Sequence, residues 1–321
     1  MLALPIALAV FLGAAAVPLR PVHTYSIVAR DAKTGELGVA VQSHWFSVGS
    51  GVPWAEAGVG AVATQSFIDP SYGPLGLALM RAGRTAPEAL AALLAGDGRR
   101  DVRQVGMVDA KGSVATHTGK LCIPAAGGQS GKDYVVQANL MDKPTVWPAM
   151  ARAFEATSGD LADRMLAALD AAQAEGGDIR GKQSAALIVV KGTSTGRPWA
   201  DRAFDLRVDD HPEPLVELRR LVGVQRAYTR MTAGDDCVAI KDWACAEREY
   251  GAAEAMFPDN AEMAFWHAIA LASNGRLEPA RPLFKKAFAA DARWRELVKR
   301  LPDVEQLPKD PKLIEQILAI R

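Results

Sequence analysis

A threonine at the start of a strand-forming run is the residue with the clearest potential chemistry. Thr24 sits in His-Thr-Tyr-Ser-Ile-Val-Ala-Arg-Asp (23–31), close behind a Pro-containing junction. A hydroxyl alone is a weak nucleophile. If the chain is cut so that Thr24 comes first, its α-amine, with a pKa of about 8, can take the hydroxyl proton. That chemistry hydrolyses amides. With the preceding bond intact, Thr24 is a β-branched residue that fits a pleated surface.

Other candidates surround it. Ser26, two residues on, shares a strand face with Thr24 and can bond to it or be a satisfied polar group. Ser43-His44 ends a second strand. His44 fits a general base, the role imidazole chemistry suits, or a structural strand end; with Ser43 it forms an alternative hydrolytic pair. Thr64-Gln65-Ser66 ends a third strand, where Gln65 can hold an oxyanion or pair with a neighbouring loop. Asn139 is a second oxyanion candidate. The loop Gly-Gly-Asp-Ile-Arg-Gly-Lys-Gln-Ser (176–184) combines flexible glycines with Asp178 and Arg180. That pair orients a substrate carboxylate or amide, or holds a helix-to-strand turn. Asp209-Asp210-His211 has metal-ligand residue types, but it directly precedes Pro212 and a helix, so capping and turn chemistry explain it better. No metal or cofactor is expected.

The elements that must position these residues follow from periodicity. Strands are expected at 25–31, 36–43, 58–66, 102–109, 113–118, 134–140, 184–191 and 204–208. Helices are expected within 72–96, restarted at a Thr85-x-x-Glu88 capping box, and at 145–156 and 161–175. No strand pattern remains after Pro214. Strands, helix, strands, helices and strands in that order argue a sheet sandwich with outer helices, an α+β fold.

Bulk properties narrow the class. The chain has 321 residues with 37 basic and 37 acidic side chains, so no global field recruits nucleic acid or an anionic membrane. Residues 1–16 are apolar and end in Ala14-x-Ala16, the pattern of a removable secretory leader. Export to the periplasm or medium follows, with an uncleaved anchor as the alternative and no stable membrane insertion once the leader is removed. Three cysteines are too few for a disulfide framework. In an exported chain Cys237 and Cys245 can bridge; otherwise they are small apolar residues. P-loop, GxGxxG and HExxH patterns are absent from the sequence, and no GxSxG nucleophile elbow is expected.

Residues 233–321 read as a separate helical unit. An offset of about 34 residues aligns Ala246 with Ala280, Tyr250 with Phe284 and Ala253 with Ala287. This resembles one and a half tetratricopeptide repeats (TPR), fewer than independent stability wants. The unit then docks on the first domain or on another copy, and is either a partner-binding segment or a cap without a ligand.

The stretches 24–43, 52–66, 72–80, 103–112, 176–190 and 205–221 resemble the DUF1028 family of the N-terminal nucleophile (Ntn) hydrolase superfamily. The resemblance spans 24–222. It implies a four-layer αββα sandwich followed by the small TPR-like domain, with Thr24 as nucleophile. A cut after Ala16 leaves residues 17–23 ahead of Thr24, so self-cleavage before Thr24 is a further requirement. The expected function is an exported Ntn-type amidohydrolase acting on a small molecule or peptide. The alternative is a non-catalytic envelope scaffold that binds a partner through its helical repeats.

Overall fold

A computed structural model describes residues 24–321. The expected leader, its cleavage site and the junction up to residue 23 lie outside the described residues.

Two antiparallel sheets dominate the chain up to Leu215. The strands are β1 Thr24–Arg30, β2 Leu37–Ser43, β3 Pro53–Glu56, β4 Gly60–Ser66, β5 Arg103–Asp109, β6 Val114–Thr118, β7 Gly127–Gly131, β8 Tyr134–Ala138, β9 Ser184–Val190 and β10 Arg202–Val208. The first sheet runs β10-β9-β2-β1-β8-β7 and the second β3-β4-β5-β6. β1 is therefore interior to the larger sheet, where its alternating residues are buried on both faces.

The inward face of the first sheet is built in rows. Val135, Val28, Val39 and Ile188 form one row, and Gln137, Ser26, Val41 and Ala186 the next. The second sheet answers with Ala61 opposite Val108, Ala63 opposite Gly106 and Gln65 opposite Gln104. Val28, Val39, Ala61, Ala63, Val108 and Ile188 share one buried core. Each aliphatic side chain of valine or isoleucine size contributes about 1.5–3 kcal/mol when fully buried. Glycine at 106 lets the sheets approach: a Cβ there would stand 3.3 Å from Gln137 Oε1. Both sheets thus pass from apolar to amide and hydroxyl residues along the same direction.

Helices cover the outer faces. α1 Tyr72–Arg81 and α2 Ala86–Gly96 bury Tyr72, Leu77, Met80 and Leu90 against Val62, Val105 and Met107. The Thr85–Glu88 capping box is formed in both directions, satisfying donors that a helix start leaves open. α3 Val146–Ala156 and α4 Leu161–Ala174 cover the first sheet. The Phe154 ring lies 4.8 Å from that of Tyr134, and Met165 fills the space a side chain at Gly38 would need. Two strands are not anticipated from the sequence. β3 is short and opens on proline; β7, Gly-Gly-Gln-Ser-Gly, has no residue that favours a strand. Backbone pairing to β4 and β8 defines them.

Two compact units are divided between Leu215 and Val216, inside α5 Pro214–Ala239, which runs unbroken through 222–233. The second unit adds α6 Trp243–Met256, α7 Ala261–Ser273, α8 Leu277–Ala290, α9 Arg293–Arg300 and α10 Pro311–Leu318. Ala246, Tyr250 and Ala253 on α6 are buried, as are Ala280, Phe284 and Ala287 on α8. Small residues at these positions let neighbouring helices close. Cys237 and Cys245 form a disulfide joining α5 to the first turn of α6. Among the described residues, no helix is long and apolar enough to cross a membrane.

Candidate active site

Beyond the two inner rows lies a third, at the N-terminal end of β1. Thr24 pairs with Ser43, and Ser43 with Ser184; on the other side the Asn139 N–H donates to the Thr24 carbonyl at 3.1 Å. Thr24 Oγ1 donates to Ser43 Oγ at 3.1 Å. Asn139, Thr24, Ser43 and Ser184 are all fully buried. The Ser184 hydroxyl donates to the Trp45 carbonyl and accepts from the Val48 N–H at 3.1 Å. It thereby holds the loop that follows β2.

The facing sheet supplies amides. Gln65 Nε2 donates to the Thr24 carbonyl at 3.1 Å and to Gln104 Oε1 at 2.7 Å. Its Oε1 accepts from Ser26 Oγ at 2.6 Å. Asn139 Nδ2 also donates to Gln104 Oε1, at 2.8 Å. Gln137 Nε2 reaches Ser26 Oγ at 3.3 Å and the Ala63 carbonyl at 3.2 Å. An open buried donor or acceptor costs about 1–3 kcal/mol; among the described residues Gln137 Oε1 is one that finds no hydrogen-bond partner. Just past the row the chain twists into the left-handed region at Ser66 (φ 70°) and Leu140 (φ 57°), and at Ser47 (φ 55°). Non-glycine residues in that region cost energy and gather at functional sites.

A second cluster is built on the 176–184 loop. Asp178, whose side chain is fully buried, accepts from Arg180 Nε (3.0 Å), Arg180 Nη2 (2.7 Å) and the Arg180 backbone N–H (2.9 Å). It also accepts from the His44 N–H at 3.2 Å. Tyr25, on the opposite face of β1 from Thr24, donates to Gln173 of α4 at 3.0 Å. Burial first, then the carboxylates of Asp178 and Asp170, pushes its phenol well above the ordinary range.

The sequence model of DUF1028, a family of unknown function, matches residues 24–218. The chain belongs to DUF1028. The family segment carries both clusters and ends inside α5. The crystal structure of protein SPO2555 from Silicibacter pomeroyi, also matched to DUF1028, is similar. It is 29% identical, with a TM-score of 0.57, over 67% of this chain and 89% of that one. No curated protein matches the chain.

Within this DUF1028 domain three sequence candidates, each with two readings open, have defined surroundings. Ser26 does not bond Thr24: two residues along a strand is about 6.6 Å, and its hydroxyl turns to Gln65. Ser43, across the ladder, takes that place. His44 has no hydrogen bond to Thr24; one residue past Ser43 its side chain leaves the inner face, and Nδ1 faces Gly181. Gln65 directs its Nε2 to Thr24's own carbonyl and to Gln104, not outward as an oxyanion donor. In Asp209-Asp210-His211 the three side chains diverge, to Ser47 (2.7 Å), Gln183 (3.2 Å) and the Glu213 N–H (3.0 Å). Among the described residues no group of three His, Cys, Asp or Glu side chains converges on a metal position.

Sequence reasoning misses Gln104 and Gln137. The signal that would find them is a glutamine at an inward position of an apolar strand, in Arg-Gln-Val-Gly-Met-Val-Asp and Tyr-Val-Val-Gln-Ala.

Proposed function

We propose that this protein is an exported amidohydrolase of the Ntn type, with Thr24 as its N-terminal nucleophile. One observation carries the reading. Thr24 heads an interior strand of a two-sheet, helix-covered sandwich, and its hydroxyl is held by Ser43 in a buried row of polar groups. In this reading Thr24 Oγ1 attacks a substrate amide carbonyl. The freed α-amine takes the hydroxyl proton and passes it to the leaving amine as the C–N bond breaks. Water then hydrolyses the ester to regenerate Thr24. In this reading Ser43 orients the hydroxyl, Asn139, whose Nδ2 also donates to Gln104, is the candidate oxyanion donor, and the Asp178–Arg180 pair shapes the neighbouring loop.

Export is supported by the apolar 1–16 segment and by the Cys237–Cys245 disulfide, a bond that persists in oxidising compartments. The 34-residue spacing of buried residues on α6 and α8 supports the TPR-like reading of the second unit.

A second reading is favoured by the burial of Thr24 in a chain whose sequence continues ahead of it. If the bond before Thr24 stays closed, the domain is a scaffold and the helical unit binds its partner. Intact mass and N-terminal sequencing of the protein recovered from its native host separate the two. The hydrolase reading expects a chain that begins at Thr24, and no such chain from Thr24→Ala. A mature chain that begins near residue 17 overturns it.

A further inference from the structure

Gln104 is fully buried on β5 of the second sheet, yet its amide reaches into the first. Its Nε2 donates to the Ala138 carbonyl at 2.9 Å, the Gly127 carbonyl at 3.2 Å and Thr118 Oγ1 at 2.9 Å. Its Oε1 accepts from Gln65 and Asn139 at 2.7 and 2.8 Å. One side chain therefore touches β4, β6, β7 and β8 and the residue that follows β8.

The two carbonyls set a direction. A backbone carbonyl can only accept, so the Gln104 amide must turn its NH2 toward β7 and β8. Its oxygen must then face Gln65 and Asn139, and both must present NH2 groups in return. Gln65 is left with its own oxygen toward Ser26 and an N–H toward the Thr24 carbonyl. Reversing any one amide would set donor against donor or acceptor against acceptor in a space closed to water. The polarity of the whole network is anchored in the pairing of two edge-side strands and passed inward through a single side chain.

We infer that Gln104 is the positioning residue of this site: it fixes the amide orientation of Gln65 and Asn139, and through Gln65 the carbonyl of Thr24. The consequence for catalysis rests on the proposed Thr24 chemistry; the placement of the amides does not.

The test uses the full chain and two readouts. Side-chain amide hydrogen exchange of Gln65 and Asn139, followed by NMR, reports the positioning directly. In the native protein both NH2 groups exchange slowly. Gln104→Met, of similar volume but without an acceptor, is expected to speed their exchange by about ten-fold or more, the equivalent of one lost buried hydrogen bond. Thr118→Val removes one side-chain acceptor and leaves both carbonyls in place, so exchange stays slow. Unprotected amides in the native protein overturn the inference, and that measurement stands even if Gln104→Met fails to fold. So does equal loss of protection in the two variants, which would mark generic packing. The second readout is acylation of Thr24 by a β-lactone in the mature protein. Protected amides with an unreactive Thr24 would sink the hydrolase reading and leave the positioning intact. A reactive Thr24 whose acylation rate is unchanged in folded Gln104→Met would overturn the link between the two.

Discussion

Thr24 Oγ1 donates to Ser43 Oγ across the β1–β2 ladder at 3.1 Å, so the hydroxyl of the candidate nucleophile is aimed by its cross-strand neighbour. The Gln65 and Asn139 donors hold the carbonyl of the same residue from two sides. Hydroxyl and backbone are restrained separately, which is what a pre-organised nucleophile requires.

Replacing Ser43 by Ala removes that acceptor while keeping the strand. Stability is expected to fall by about 1 kcal/mol, the typical net worth of one intramolecular hydrogen bond, seen as a lower urea midpoint with an unchanged slope. If the mature chain hydrolyses amides, its rate is expected to fall about ten-fold, because about 1.4 kcal/mol is a factor of ten.

Asp178 holds its loop from a single buried carboxylate. In Asp178→Asn the charge that Arg180 pairs with is lost, and an NH2 replaces one of two acceptor oxygens. A loss of about 2 kcal/mol is expected for hydrogen bonds to a charged group. Backbone amide exchange should quicken at His44 and Arg180, whose N–H groups the carboxylate accepts, while amides of the β4–β5 ladder stay protected.

The five tyrosines make the protein sensitive to alkali. Burial, the largest cause, raises Tyr25, Tyr72, Tyr134 and Tyr250 above the ordinary phenol value; a hydrogen bond to Glu262 leads for Tyr228. The four buried phenols stay protonated in the folded chain where an unfolded one begins to ionise, and Tyr228 is shifted in the same direction. The unfolded state then binds fewer protons, so stability is full below about pH 10 and falls as pH rises above it. Phenolate absorbance at about pH 10.5 should be small for the native protein and exceed half of the total after addition of denaturant.

The second unit has its own cross-link. Thiol labelling of the denatured, unreduced chain should find Cys122 alone, since Cys237 and Cys245 are bonded. Replacing both by Ala is expected to destabilise the helical unit by about 2–3 kcal/mol, the loop-closure value for so short a segment. Calorimetry should show the loss in the second unit's transition.

Features coded over a few residues are legible in the sequence alone. The alternation of Thr-Tyr-Ser-Ile-Val-Ala-Arg assigns β1 and its two faces, and Thr85-x-x-Glu88 marks the start of α2. The DUF1028 motifs are readable in the same way. Such signals depend on backbone period and capping, which each segment carries within itself. Strand register and amide direction do not. Ser26 meets Gln137 across 111 residues of chain, and Asn139 meets Gln104 across 35. Whether Thr24 faces Ser43 or Ser26, and which end of Gln65 it meets, depends on how two sheets pack and on where backbone carbonyls of β7 and β8 point. Those are properties of closed sheets and of buried polar groups that meet across them, and they exist only once the chain has folded.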